Sequence, residues 1–289
     1  MWFLVVRLGC SVCSDKVVMS GFCKVHFLDY FEKKVEDTIS RFGLLDKDDR
    51  VCVAVSGGKD SVVLLYLLNK FGYDVSALAI DEGIEGYRSE TLDFLRVFCS
   101  SYGVPLVIKS FKDETGRDLD DMPSHGSMCN ACGTFRRFML NKYSQGFDKV
   151  ATGHNLDDEA QAVLMNLFKA QLDLFDRQGP ITRESDGFTR KIKPLYYLRE
   201  KEILAFAFLK GFDVPFVECP FARLSFRSKV RDFINSAEVI NPGVKDNIIS
   251  TFLDLKISND SPVVTGTCEV CSFPSEGNIC RACRLKETF

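Results

Sequence analysis

The sequence predicts an α/β protein: a Rossmann-like parallel sheet covered by helices, with a small metal-binding module at each end. Two observations predict it. Across residues 31–235, short apolar β-rich runs alternate with helical stretches, the pattern of a parallel sheet buried on both faces. At the two ends, residues 1–30 and 263–289, cysteines recur in pairs two residues apart, and residues 236–262 read as a helical region and linker.

In chain order, Val51, Cys52, Val53, Ala54 and Val55 form the first buried strand, which Ser56-Gly57-Gly58 breaks before an apolar helix over residues 61–70. A second strand over 75–80 is followed by a helix over 89–101, and a third strand covers 105–110. Residues 132–144 read as helix, 149–152 as strand and 156–171 as helix. A further helix over 198–209 meets its stop signal at Gly211, Asn241-Pro242-Gly243 is a turn, and residues 258–262 have linker composition. Ligands of such sheets bind beyond the carboxyl ends of the strands. Both Ser56-Gly57-Gly58 and Gly153-His154-Asn155 lie at strand ends.

Composition excludes several classes. Hydrophobic residues make up 46% and charged residues 27%, as in soluble globular proteins. No apolar run approaches the roughly 18 residues of a membrane helix. The apolar start, residues 1–6, lacks the basic region and longer core of a secretory signal, so a cytoplasmic protein is expected. The formal charge is −3, yet residues 183–231 hold eleven Lys/Arg against six Asp/Glu. A solvated surface accounts for that stretch, and so does a phosphate-binding face.

The 12 cysteines are placed for metal rather than for disulfides, because a tight knuckle aims two thiolates at one ion. Cys10, Cys13, Cys23 and His26 make a Cys₃His set, and Cys268, Cys271, Cys280 and Cys283 a Cys₄ set. Both spacings suit tetrahedral Zn²⁺ with every position filled by protein, hence structural sites in modules that scarcely fold without metal. Cys52 and Cys99 sit in apolar contexts and are expected in the core.

Small residues directly after a buried strand let the backbone wrap an anion, and the helix that follows adds its dipole. In Ser56-Gly57-Gly58-Lys59-Asp60-Ser61 the lysine supplies charge and the serines hydroxyls. A Walker A loop would need glycine where Val53 stands and Ser/Thr where Asp60 stands, so this is a different phosphate loop. Cys129-Asn130-Ala131-Cys132-Gly133 opens a helix, where the dipole favours thiolate, and Cys219 lies apart in Glu218-Cys219-Pro220. Three thiolates on a 4Fe-4S cluster would leave one iron open. A redox disulfide, a third zinc site or inert structural cysteines also account for the spacing.

The loop at residues 56–61 resembles the pyrophosphate loop (PP-loop) of the ATP pyrophosphatase superfamily, whose members split ATP between the α and β phosphates and leave an adenylated substrate. With Cys129-x-x-Cys132-Gly133, Gly153-His154-Asn155-Leu156-Asp157-Asp158-Glu159-Ala160, Lys193-Pro194-Leu195 and Glu218-Cys219-Pro220 in that order, the chain resembles the tRNA 2-thiolation enzymes of the TtuA/TtcA group. The resemblance spans nearly the whole chain and includes the two terminal zinc sites of the uridine-modifying branch. It implies a 4Fe-4S cluster on Cys129, Cys132 and Cys219, adenylation of the uridine 2-oxygen, and attack by a cluster-held sulfide on carbon 2. ATP would lie against Ala54, Ser56, Gly57, Gly58, Lys59, Asp60, Ser61, Ile80, Asp81, Gly153 and His154, with Mg²⁺ assisting. Asp158 matches a catalytic position, to hydrogen-bond or exchange a proton with the base. Arg136 stands where some members carry a catalytic lysine, keeping the charge but not a proton-donor role. tRNA as substrate, a ubiquitin-like sulfur carrier or inorganic sulfide as donor, and a homodimer are implied in the same way.

Read without the resemblance, Asp157, Asp158 and Glu159 are an acidic first helical turn complementing the dipole, and His154 a satisfied strand-end histidine. Three other functions fit parts of the pattern. A lysidine synthetase would need the loop but not the central cysteines, a cysteine persulfide would replace the cluster, and a non-catalytic zinc-dependent RNA-binding module would need neither.

Overall fold

The computed structural model describes residues 9–122, 128–171, 174–175, 178–182, 185, 187–221, 225–255, 266–275 and 277–287. The expected linker at 258–262 and the apolar start at 1–6 lie outside them. In chain order the elements are α1 (Lys24–Phe42), β1 (Arg50–Val55), α2 (Lys59–Lys70), β2 (Asp74–Asp81), α3 (Arg88–Ser101), β3 (Leu106–Ser110) and the single turn α4 (Phe111–Thr115). Then follow α5 (Met128–Tyr143), β4 (Lys149–Thr152), α6 (Leu156–Phe168), β5 (Arg190–Ile192), α7 (Glu200–Lys210), α8 (Phe226–Ile240), α9 (Val244–Leu255), the hairpin β6 (Gly266–Thr267) and β7 (Pro274–Ser275), and α10 (Arg281–Lys286).

Five parallel strands lie in the order β3-β2-β1-β4-β5. Successive side chains of a strand face opposite sides, and here both sides are buried. Val51, Val53 and Val55 of β1 join Phe27 and Phe31 of α1, Leu64 and Leu67 of α2 and Phe206 of α7. Cys52, with Leu78 and Ile80 of β2 and Val150 of β4, meets Phe135, Phe138 and Met139 of α5 and Phe273 of the C-terminal module. That two-sided burial is why β1 reads as an unbroken apolar run from Val51 to Val55. A third cluster joins α6, α8 and α9 around the fully buried Tyr196. No helix among the described residues is long and apolar enough to cross a membrane.

The strand order places a switch point between β1 and β4. From β1 the chain steps outward through β2 to β3, then returns to lay β4 on the other side of β1. In sheets of this topology ligands bind in the crevice beyond the carboxyl ends of the strands at the switch point.

Several elements differ from the sequence reading. Residue 30 lies inside α1 and residue 235 inside α8, so neither is an element end. The helix expected over 156–171 stops at Phe168, with Ala170 at φ 53°. Gly43, at φ 54°, ends α1, its N–H bonding back to Ile39 and Ser40 as a left-handed cap requires.

Candidate active site and metal centres

The loop after β1 is held by its own serines. Ser61 Oγ donates to the Gly58 carbonyl at 2.9 Å and accepts from the Ser56 N–H at 3.1 Å, while Gly58 N–H donates to Ser56 Oγ at 3.3 Å. Gly57 has φ 83°, and a Cβ there would stand 2.8 Å from Thr91, so only glycine fits. At Gly153 a Cβ would lie 2.9 Å from the backbone of Asp60 and Ser61, which lets the end of β4 press against the loop. Asn155 completes the junction by donating to Asp60 Oδ1 at 3.1 Å. The two strand-end motifs are thus one structure at the switch point.

Lys59, the first residue of α2, contacts Asp60 at 3.1 Å and Glu200 at 2.8 Å. Burial opposes its charge, but the two carboxylates outweigh burial and keep its pKa above the ordinary value. Burial pushes the Asp60 carboxyl up in spite of Lys59. With Gly58 as N-cap, the open N–H groups of α2 face the crevice mouth, a ready anion seat.

The acidic run after His154 divides by role. Asp157 accepts from the Glu200 N–H at 2.8 Å and pairs with buried Lys245 of α9. Glu159 pairs with buried Lys193 at 2.8 Å. Both are structural. Asp158 closes a capping box with Asn155, keeps 30% of its side chain exposed and stands 3.8 Å from Arg227. Burial pushes its carboxyl up, against the pull of Arg227 and of Lys59. His154 bonds Thr152 Oγ1 at 2.9 Å through Nδ1. Burial, then Lys193, with Arg227 and Arg136, holds its pKa well below the ordinary value.

At the end of β2, Ile80 turns its side chain into the core and Asp81 Oδ1 accepts from the Gly83 N–H at 3.0 Å. The next residue, Glu82, escaped the sequence reading. It is 4% exposed and pairs with Arg88 at 2.8 Å and Arg136 at 3.1 Å. Arg88 in turn donates to the Ser56 carbonyl at 2.5 Å and to the Ile80 carbonyl. One buried carboxylate therefore links the phosphate loop to the cysteine helix. A strand-end acid beside Asp81 was the available signal, but its two arginine partners lie too far along the chain to be inferred.

Cys129 is exposed, while Cys132 and Cys219 are half-buried against the α5 core. Their charges bear on one another, and Cys129 Sγ lies 3.4 Å from the Phe221 carbonyl. The thiolate expected from the helix dipole is corrected at Cys132. Burial, then Glu82, push that thiol up to about 12, so a proton has to leave before it ligates a metal. Arg136, whose charge Glu82 reinforces against burial, sits beside it. Among the described residues the groups whose ligand atoms all lie within 4.8 Å are the two terminal ones. The central three do not form such a tight set, and three thiols are the soft ligands that a polynuclear iron–sulfur group takes.

The terminal sets are tight. His26 Nδ1 lies 3.4, 3.4 and 3.3 Å from the sulfurs of Cys10, Cys13 and Cys23, and Cys13 and Cys23 are 3.7 Å apart. In the C-terminal set, Cys271 and Cys280 lie 3.8 Å apart. A tetrahedron with ~2.3 Å metal–sulfur bonds has edges of about 3.8 Å, so both sets fit Zn²⁺. Helix starts shape both: Cys23 caps α1, which places His26 one turn on, and Cys280 caps α10. Backbone N–H groups, that of Cys280 first, hold the Cys268 thiol below the ordinary range. Cys52 and Cys99 lie in the core, as expected.

A PP-loop domain matches residues 28–234 of this chain. The tRNA-5-methyluridine(54) 2-sulfurtransferase of Pyrococcus horikoshii is 38% identical over 96% of this chain and 93% of that protein. The Arabidopsis thaliana protein named cytoplasmic tRNA 2-thiolation protein 1 is 35% identical over 92% of this chain and 78% of its own. Among solved structures, the U34-tRNA thiolase NcsA from Methanococcus maripaludis, with its [4Fe-4S] cluster, superposes with a TM-score of 0.85 at 32% identity. That match covers 98% of this chain and 97% of the thiolase.

Proposed function

The chain belongs to the PP-loop tRNA 2-thiolation enzymes of the TtuA/TtcA group, and we propose that it replaces the 2-oxygen of a tRNA uridine with sulfur at the expense of ATP. The observation that carries the reading is the buried Glu82, which ties the phosphate loop through Arg88 to the cysteine helix through Arg136. An adenylating ligase has no need of the cysteines at the far end of that connection.

In this reading the loop amides and Lys59 hold the ATP phosphates, Mg²⁺ accompanying the nucleotide. Uridine O2 attacks the α-phosphorus and pyrophosphate leaves. Asp158, whose carboxyl burial pushes up, takes the N3 proton as O2 attacks. Sulfide then adds to carbon 2, the C2–O bond breaks, and AMP departs with the oxygen while the proton returns to N3. Arg136 stays charged throughout and neutralises negative charge building near the thiols. Cys129, Cys132 and Cys219 would hold a 4Fe-4S cluster, which supplies a site for the sulfide on the iron no protein thiol reaches. The two terminal sets would hold structural Zn²⁺. Cysteines spaced in knuckles for metal, and not as a disulfide framework, support a reducing cytoplasm as its location.

Mass spectrometry of tRNA nucleosides from a deletion strain tests the reaction. Loss of 2-thiouridine is expected, and unchanged levels in every tRNA overturn it. Iron and sulfide assays of anaerobically purified protein test the cluster. Iron-free protein that still thiolates tRNA points to a persulfide instead.

A further inference from the structure

Three cations, one each from α10, α5 and β5, lie along α5, the helix of Cys129 and Cys132. Arg281 of α10 donates to Asn130 Oδ1 of α5 at 3.3 Å, one residue from Cys129. Arg137 folds back along α5 so that a Cβ at Gly133 would stand 3.2 Å from its Nη1. Lys191 of β5 donates to Asn141 Oδ1 of the same helix. Among the described residues, the partners of Arg281 and Lys191 are neutral amides, not carboxylates.

The electrostatics agree with the geometry. Burial, then the cations Arg281 and Arg136, hold Arg137 below its ordinary value. Burial, then Arg137 and Lys193, bring Lys191 down to about 8. Each charge is crowded by others of its own sign, an arrangement that costs energy until an anion arrives. Of their cationic neighbours, Lys193 is paired with Glu159, and Arg136 is paired with Glu82 and already committed to the thiol side.

We infer that Arg281 and Arg137, with Lys191 farther along α5, form a phosphate-binding surface that grips the tRNA backbone beside the helix of Cys129, an inference that rests on the proposed tRNA reaction. Guanidinium forks suit phosphodiester oxygens, and the chain has a separate seat for ATP phosphates in the loop at Ser56 to Ser61. The C-terminal module then has a task beyond stability, because it carries Arg281 to the site. Gly133 likewise has a role, leaving room for the Arg137 guanidinium.

The test uses the full chain and an unmodified tRNA transcript, with affinity measured across a salt series. Arg281→Ala and Arg137→Ala are each expected to weaken tRNA binding roughly tenfold at moderate salt and to lower the log–log salt slope by about one. ATP affinity and zinc content should stay at wild-type values. Arg137 lies outside the terminal module, so its variant keeps the test valid if Arg281→Ala disturbs the metal. Unchanged tRNA affinity and slope in the double variant overturn the inference, as does a loss confined to ATP binding. A wild-type chain that binds tRNA but makes no 2-thiouridine overturns the proposed reaction and leaves this surface standing.

Discussion

Asp157, Asp158 and Glu159 are chemically near-identical neighbours that folding assigns to different work. Two of them face lysines in closed pairs, and Asp158 alone keeps part of its carboxylate toward the crevice. A carboxyl whose folded pKa lies above its unfolded value holds its proton better when folded. Its contribution to stability is present below the ordinary carboxylate range and is lost as pH rises through the folded pKa. Asp158→Asn carries no such ionisation. Relative to wild type it should therefore gain stability on going from acid to neutral pH, while 2-thiouridine formation falls about 100-fold or more. Denaturant melts at several pH values and single-turnover assays measure the two effects separately. A variant less active but equally pH-dependent in stability would place the raised carboxyl elsewhere.

Between elements, the same run explains how the helical layers are fastened. Asp157 joins the start of α6 to the α7 backbone at Glu200 and to Lys245 of α9, which also donates to Asn235 of α8 at 2.8 Å. Asp157→Ala leaves a buried ammonium short of its charge partner and should cost about 3–5 kcal/mol in urea unfolding. ATP binding should survive at temperatures where the variant stays folded. A loss of ATP affinity without a loss of stability would contradict the structural role. Elements of this kind were unevenly legible in the sequence. Strands β1, β2 and β4 announce themselves because two buried faces leave continuous apolar runs. β5 spans three residues, two of them basic, and offers no run to read. α1 was hidden because Cys23 and His26 signal metal first, although their i, i+3 spacing is also the first turn of a helix. At the site, the loop and the Gly153-His154-Asn155 motif were legible as local patterns. Glu200 against Lys59, Glu82 against Arg88 and Arg136, and Arg281 beside Arg137 were not, since each joins residues that only the fold brings together.

At the scale of the molecule, the basic stretch over residues 183–231 is not one face. Lys193, Arg199, Lys210 and Arg227 are each taken by an acid from elsewhere, and Lys191 instead donates to Asn141 and lies near Arg137, both of α5. The C-terminal module brings one cation, Arg281, to that surface, so its metal and the proposed RNA contact should weaken together. That module is pinned by Phe273, whose ring lies 5.5 Å from Phe138 and 5.6 Å from Phe188, and by Lys286, which donates to the Glu114 carbonyl at 2.6 Å. Cys268 is 1% exposed, and its sulfur accepts from the Cys280 N–H that starts α10. Cys268→Ala should remove one of two zinc ions, loosen α10 and displace Arg281, because a module this small has little else to fold around. Metal analysis should find one zinc per chain, and tRNA affinity should fall at least as far as in Arg281→Ala. ATP binding should persist, since the loop at Ser56 to Ser61 is braced by Arg88, Asn155 and its own serines rather than by the module. Retention of full tRNA affinity after loss of that zinc would separate the module from substrate binding and leave it a purely structural cap on α5.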